Sequence, residues 1–371
     1  MSNTSISRRS FLKIGGGTAA SLTILNRSSW SAMPGNPGVT KSMTYPETKA
    51  ELHIKDPSRF KIMQLTDSHF FRVAKPGDAD YLIKAGVTDR DARTMEDWHK
   101  LIETYQPDLI AHTGDMWHDN PDGRGAEFQK ATIERLDSLG LPWVCIWGNH
   151  DQLDDVPNGH DRFHDGKHSL YRGGPGGGNY TLDILGPDGK PVWEIFCLNT
   201  QRLGLVNESL DWLKNAADER EKGPGATPAF VLHHIPTHAY VDAVTNKTAA
   251  GFFLEPVSHE NETGAAFEQI KRLKTVKACF CGHDHVSDIS GIVNDIELIF
   301  GRSSGWNGYG AEDVRKGGKL TTVNCQAGTY AWESVFPDGL RWHPDPRQKI
   351  VKALDEPFMQ DPFEKKVNAA Q

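Results

Sequence analysis

Five short polar segments of this 371-residue chain carry the side chains that could do chemistry. They are Asp67-Ser-His69, Gly114-Asp115, Gly148-Asn-His-Asp151, His233-His-Ile-Pro236 and Gly282-His-Asp-His285. Carboxylate, imidazole and amide oxygen make a mixed donor set that suits iron, manganese, zinc or cobalt, and it is too nitrogen-rich for calcium or magnesium alone. Seven such ligands are too many for one tetrahedral ion. They suit two metals that share a carboxylate. Each spacing has a reason: in extended chain, residues i and i+2 face the same side, so Asp67 with His69, and His283 with His285, can each present two ligands together. Gly114, Gly148 and Gly282 allow sharp turns that let the next residue leave its strand.

The elements needed to gather these segments are legible in the hydrophobic pattern. Phe60 to Leu65, Asp108 to Ala111, Trp143 to Trp147, Trp193 to Leu198, Phe230 to Leu232 and Val276 to Cys281 read as strands. Between them, Met95/Trp98/Leu101/Ile102/Tyr105, Phe128/Thr132/Leu136, Leu210/Leu213 after an Asn207 cap, and Phe267/Ile270/Leu273 recur at helical spacing. Ile289 to Val293, Ile296 to Phe300 and Leu320 to Val323 make the last third β-rich. This order predicts two βαβ-like halves in a layered α/β sandwich with helices outside. Each polar segment then follows a strand, and loops beyond the carboxyl ends of such strands converge on one rim.

Taken in order, Asp-x-His, Gly-Asp, Gly-Asn-His-Asp, His-x-Pro and Gly-His-x-His resemble the calcineurin-like metallophosphoesterase superfamily, over residues from about 58 to 326. The resemblance implies a four-layer α/β/β/α sandwich with mixed sheets and a binuclear centre of two divalent or mixed-valence ions. It implies that Asp67, His69 and His285 hold the first metal, that Asp115 bridges, and that Asn149, His283 and a histidine of the 233–234 pair hold the second. The pattern His-x-Pro favours His234, with His233 as the alternative. His150 would sit beside the substrate without binding metal. Two such ions lower the pKa of a bridging water, making it the hydroxide nucleophile, and hold phosphate oxygens; a protonated His150 would serve the leaving group. Gly282-His-Asp-His-Val-Ser-Asp288 and Phe300-Gly-Arg-Ser-Ser-Gly-Trp-Asn-Gly-Tyr-Gly310 look like the short purple-acid-phosphatase-like branch. Purple members carry a tyrosine three residues after the bridging aspartate; His118 stands there, so no purple colour is expected. Trp306, Asn307 and Tyr309 are candidates for a substrate groove, Asp151 and Asp288 for orienting His150 and the ligand loop, and His112 and His118 for supporting the ligands.

Composition narrows the partners. Forty-one basic against 49 acidic residues give a net charge of −8, which argues against nucleic acid. No apolar run reaches the roughly 18 residues that span a bilayer. Ser7-Arg-Arg-Ser-Phe-Leu-Lys13, followed by the acid-free, small and apolar stretch Ile14 to Leu25, resembles a twin-arginine leader, an address read by export machinery. Residues 1–40 are therefore expected to be signal and linker, 41–345 the phosphoesterase domain, and 346–371 a polar tail, in a periplasmic or secreted protein. The five cysteines are an odd number in mostly apolar runs, without a disulfide framework. The glycine-dense stretch Arg172 to Asn179 reads as a surface loop or a cover for a ligand. The function expected is hydrolysis of small phosphomonoesters. A phosphodiesterase acting on cyclic nucleotides or glycerophosphodiesters is the alternative, and a metal-dependent binding protein without catalysis the more distant one.

Overall fold

The computed structural model describes residues 48–72, 89–174, 177–223, 227–310 and 314–345. The leader and the C-terminal tail expected from the sequence lie outside them. Within the described residues, fourteen strands form two mixed sheets, and six helices accompany them. The six-stranded sheet contains β2 (Phe60–Leu65), β3 (Leu109–His112) and β4 (Trp143–Cys145) in parallel. It continues antiparallel through β12 (Gly318–Asn324), β13 (Thr329–Val335) and β14 (Arg341–Trp342). The eight-stranded sheet runs β1 (Lys49–His53), β5 (Tyr180–Leu185), β6 (Pro191–Cys197), β7 (Ala229–Leu232), β9 (Val276–Cys281), β11 (Ile296–Phe300), β10 (Ser287–Val293) and β8 (Ala250–Phe253). Its β6, β7, β9 and β11 are parallel. All five polar segments follow carboxyl ends of parallel strands, three from one sheet and two from the other.

The helices form where apolar residues repeat on one face. In α1 (Arg90–Tyr105), Trp98, Leu101 and Tyr105 are buried; Asp89 caps its start by accepting from the Ala92 N–H, and Gln106 ends it in the left-handed region. Its Trp98 indole donates to the Ser304 carbonyl at 3.2 Å, which ties the helix to the glycine-rich loop of residues 301–310. Helices α2 (Gly125–Ser138) and α3 (Val156–His164) pack together through Gln129, whose amide donates to Gly159 O. On the eight-stranded sheet, α4 (Asn207–Lys222), α5 (Ala239–Thr245) and α6 (Ala265–Arg272) bury Trp212, Leu213, Tyr240, Phe267 and Ile270 with β6, β7 and β9 residues in one apolar cluster. Such side chains contribute about 1.5–3 kcal/mol each when fully buried. Asn207 is not the cap of α4: Val206 is, and it makes no side-chain cap bond, while Asn207 itself takes φ 50°. Strands β1, β5, β8, β13 and β14 and helices α3 and α5 are not among the elements expected from the sequence.

Asp288 does not orient the ligand loop. It joins the sheets: its carboxylate accepts from Arg302 Nε at 2.7 Å, Lys319 Nζ at 2.7 Å and Ser334 Oγ at 2.6 Å, all fully buried. Burial alone would raise this carboxyl, but Arg302 and Lys319 outweigh it and hold it below the usual range. Asp288→Asn would leave two buried cations short of their counter-charge, and should destabilise the protein by about 3–5 kcal/mol in urea unfolding.

In the stretch from Arg172 to Asn179, the described residues Gly173, Gly178 and Asn179 are buried. A Cβ on Gly173 would lie 2.3 Å from both the Gly178 carbonyl oxygen and the Tyr171 hydroxyl. All five cysteines are free and buried.

Candidate metal centre

The five segments meet at the carboxyl ends of the two sheets and form two adjoining ligand clusters. Asp67, His69 and His285 make one, and Asp115, His234 and His283 the other. Asp115 reaches both, with Oδ2 3.5 Å from His69 Nε2 and 3.3 Å from His234 Nε2. Asn149 Oδ1 lies 3.0 Å from His234 Nε2 and so belongs with the second cluster. His285 Nε2 stands 3.3 Å from Asp67 Oδ1 and 3.1 Å from His69 Nε2. These are two metal-ligand sites with a shared carboxylate, the arrangement of a binuclear divalent-metal centre.

Local backbone geometry departs from the extended chain expected. Asp67, His69, Asp115 and His283 have φ of 56°, 46°, 54° and 78°, in the left-handed region that non-glycine residues rarely occupy. The kinks separate His283 from His285 and send them to different clusters. Of the three glycines, only Gly114 uses a positive φ, 94°. Gly148 and Gly282 are needed for close approach: a Cβ would fall 2.1 Å from Asp115 Oδ1 at the first and 2.2 Å from Thr66 Oγ1 at the second.

The donor chemistry fits metal ions. His234 Nδ1 is 2.7 Å from the Thr113 carbonyl, and His285 Nδ1 is 3.3 Å from that of Tyr309. An N–H on each Nδ1 turns the lone pair of Nε2 inward. Imidazole lone pairs converging on two carboxylates are suited to cations. The charges agree. Burial would lower His234, yet Asp115 and Asp67 raise it to about 10. Burial would raise Asp67, yet His285 and His234 keep it below the usual carboxylate range. A bound cation would take the place of that proton.

His233 is turned away from the clusters. Its Nδ1 lies 2.9 Å from Ile235 O, and its ring packs edge-on against Tyr240 in the core. Asp151 does not touch the His150 ring; it accepts from the Met116, Trp117 and Gly148 N–H groups at 2.7, 3.1 and 2.7 Å, bracing two ligand loops. Burial and neighbouring Asp115 push it up to about 7 against the Gly148 and Trp117 N–H bonds. The residue on His150 is Asp119, with Oδ1 2.8 Å from Nδ1. Burial would lower His150, but Asp119 and Asp115 hold it above its ordinary value. Asp119 also accepts from Gln152 Nε2 at 2.8 Å. An acid four residues beyond Asp115 is visible in the sequence, but its φ of 61°, which shapes that turn, is not.

The supporting shell includes two more histidines. His118 Nδ1 is 3.0 Å from His69 Nδ1, and its ring stacks on His150 with centroids 4.7 Å apart. His112 is buried against the Ser68 hydroxyl, 3.1 Å from its Nε2, and burial lowers it to about 3.

Asn307 and Tyr309 line a cavity of about 330 Å³ over the clusters, together with Arg72, His118 and His150. Trp306 points elsewhere, buried with its indole N–H on Asp97. Tyr309 stacks on His285 at 4.1 Å, and its hydroxyl donates to Glu255 at 2.8 Å. Gly308 lets this loop lie on the ligands, because a Cβ there would come within 2.6 Å of the His285 ring. Gly308→Ala should therefore weaken metal retention in the first cluster by roughly 10–100-fold, as loss of support around a metal ligand does. Competition with a metal-sensitive chelator would measure it.

Comparison with known proteins agrees with this architecture. The model of the calcineurin-like phosphoesterase family matches residues 60–287, more than half of the chain, and the protein belongs to that family. Its paired ligand clusters and this fold make it a binuclear-metal-dependent phosphoesterase. It is 25% identical over 321 residues to probable inactive purple acid phosphatase 28 of Arabidopsis thaliana, covering 76% of this chain and 80% of that protein. It is 24% identical over 246 residues to a probable cyclic nucleotide phosphodiesterase of Synechococcus sp., covering 64% of this chain and 77% of the other. Among solved structures, a purple acid phosphatase from yellow lupin (Lupinus luteus) seeds aligns with TM-score 0.47 and 12% identity, covering 77% of this chain and 53% of that one.

Proposed function

We propose that the protein hydrolyses small phosphomonoesters. The observation that carries a catalytic reading is the shared Asp115 carboxylate between two complete donor sets, with His150 beside them. Asp67, His69 and His285 would hold one ion, Asn149, His234 and His283 the other, and Asp115 both. When bound, the pair supplies a water activated at neutral pH and Lewis acidity for the phosphoryl oxygens. His150, its Nδ1 fixed on Asp119, presents Nε2 to donate a proton to the departing ester oxygen. Asp119, Asp151 and the carbonyls of Thr113 and Tyr309 keep these side chains oriented. The plant relative's name includes "inactive", but none of the expected donor residues is missing from this chain.

The monoester preference is supported by the resemblance to the purple-acid-phosphatase-like branch and by the small cavity; a diesterase would use the same donors. The domain is taken as residues 41–345, and the Arg8-Arg9 leader as directing export of the folded protein to the periplasm or beyond. Among the described residues no helix is long and apolar enough to cross a membrane. The test is to strip metal from the protein beginning at residue 41, restore manganese, iron, zinc or cobalt singly, and compare p-nitrophenyl phosphate with bis-p-nitrophenyl phosphate. Metal-dependent turnover favouring the monoester supports the reading, and a preference for the diester replaces it with phosphodiesterase. The iron-loaded protein should show no visible phenolate-to-iron band, because His118 takes the tyrosine position and Tyr309 directs its hydroxyl to Glu255. A strong band in its absorption spectrum would refute that assignment.

A further inference from the structure

Tyr309 is the one Phe, Trp or Tyr among the described residues that is exposed, at 49%. It is also held still. One face of its ring lies nearly parallel to the His285 imidazole, at 10° and 4.1 Å between centroids. Its hydroxyl accepts the His285 backbone N–H at 3.4 Å and donates to Glu255 Oε2 at 2.8 Å, while Glu255 Oε1 is fixed by the Val286 N–H at 3.0 Å. Its carbonyl accepts from Lys316 Nζ at 2.9 Å. With one face against an imidazole and the hydroxyl tied, the exposed surface is left to the other face and the edge of the ring. The residue lines the cavity over the ligand clusters.

We infer that the open face of Tyr309 stacks on a planar aromatic group carried by the ester oxygen of the substrate, so that the site prefers aryl phosphomonoesters to alkyl ones of similar size. The inference rests on the phosphoesterase reading given above. Aromatic faces attract other aromatic rings beyond the area the pair buries. A ring already fixed on the protein gives up little freedom when a partner arrives. Position selects the ester oxygen. His285 Nε2 belongs to the first cluster, 3.3 Å from Asp67 Oδ1, and Tyr309 lies one stacking distance from that same imidazole. A phosphoryl group at the clusters therefore brings its own substituent beside Tyr309, whereas a nucleobase would have to reach back across its ribose. Asp119 and Asp284 line the same cavity and Glu255 stands at the hydroxyl, so the planar group favoured carries no negative charge of its own.

The experiment measures, by calorimetry, the binding of phenylphosphonate and cyclohexylphosphonate to manganese-loaded wild type, Tyr309→Leu and Tyr309→Phe, with metal content and thermal melting recorded for each. Both probes carry a phosphoryl group and a ring but no scissile ester, and they differ in whether the ring is planar. Wild type should bind the phenyl compound roughly 3–10-fold more tightly, the worth of an aromatic pair. Tyr309→Leu should lose that preference, and Tyr309→Phe should keep most of it. A variant that only loosens His285 would weaken both ligands together and leave their ratio alone, so the ratio separates stacking from support of the metal. A ratio near one in wild type, or the same ratio in wild type and a folded Tyr309→Leu protein, would overturn the platform. Adenosine monophosphate against ribose 5-phosphate forms a second pair. A Tyr309-dependent preference there, with none between the phosphonates, would put a nucleobase on the ring and overturn the assignment to the ester oxygen. If wild type turns over neither p-nitrophenyl phosphate nor its diester with any metal, the phosphoesterase reading fails by itself, and the phosphonate ratio still decides whether Tyr309 stacks.

Discussion

Asp115→Ala should abolish hydrolysis of every phosphoester the protein accepts, by at least about 1000-fold in kcat, a loss comparable with removing a principal electrostatic stabiliser. The reason lies in its position. Its Oδ2 is within 3.5 Å of His69 Nε2 in one cluster and 3.3 Å of His234 Nε2 in the other, and its Oδ1 accepts the His150 backbone N–H at 2.8 Å. Removing the carboxylate leaves three donors in each set and nothing to hold two cations close against their repulsion. Bound metal, measured by plasma emission after desalting, should fall from two ions per chain toward one. Asp115→Asn preserves the shape and a neutral oxygen, so it should lose nearly as much activity while melting at a similar temperature. Unchanged hydrolysis in a folded Asp115→Ala protein would remove the basis for a catalytic centre and point to a binding protein on the same fold.

How far the sequence exposed this centre depends on what kind of information each feature carries. The donors were readable because their types are rare and each follows a strand whose apolar run is unambiguous. Val276 to Cys281 and Phe60 to Leu65 form strands over those same residues. Which of His233 and His234 lies at the clusters needed three dimensions, since adjacent histidines differ only in which way the chain turns. One ring ends against Tyr240 and the other against Asn149. The left-handed residues were invisible for a related reason: Asp67, His69 and His283 take conformations that local propensity disfavours, and only the surrounding packing imposes them. The role of Asp119 was hidden because a hydrogen bond across 31 residues leaves no periodic trace. Asp288 misled because it lies just beyond the ligand histidines in sequence, yet β10 carries it away between the sheets to Arg302 and Lys319.

If His150 serves the departing oxygen as proposed, His150→Ala should lower kcat by about 100–10,000-fold on alkyl phosphates while leaving two metals bound to the Asp67/His69/His285 and Asp115/His234/His283 sets. The geometry separates this effect from a loss of binding. His150 Nδ1 is 2.8 Å from Asp119, and the ring is stacked on His118 and set edge-on to His69 at 4.9 Å, so its Nε2 is presented on the cavity side. An alkoxide needs a proton to depart, but p-nitrophenolate is stable without one. The defect should therefore shrink steeply as the leaving group becomes more acidic, and nearly vanish with p-nitrophenyl phosphate. Asp119→Asn should reproduce the same leaving-group dependence at smaller amplitude, since it loosens and discharges the partner of the ring without removing the ring. A defect of equal size across leaving groups would mean that His150 binds the phosphoryl group and donates no proton.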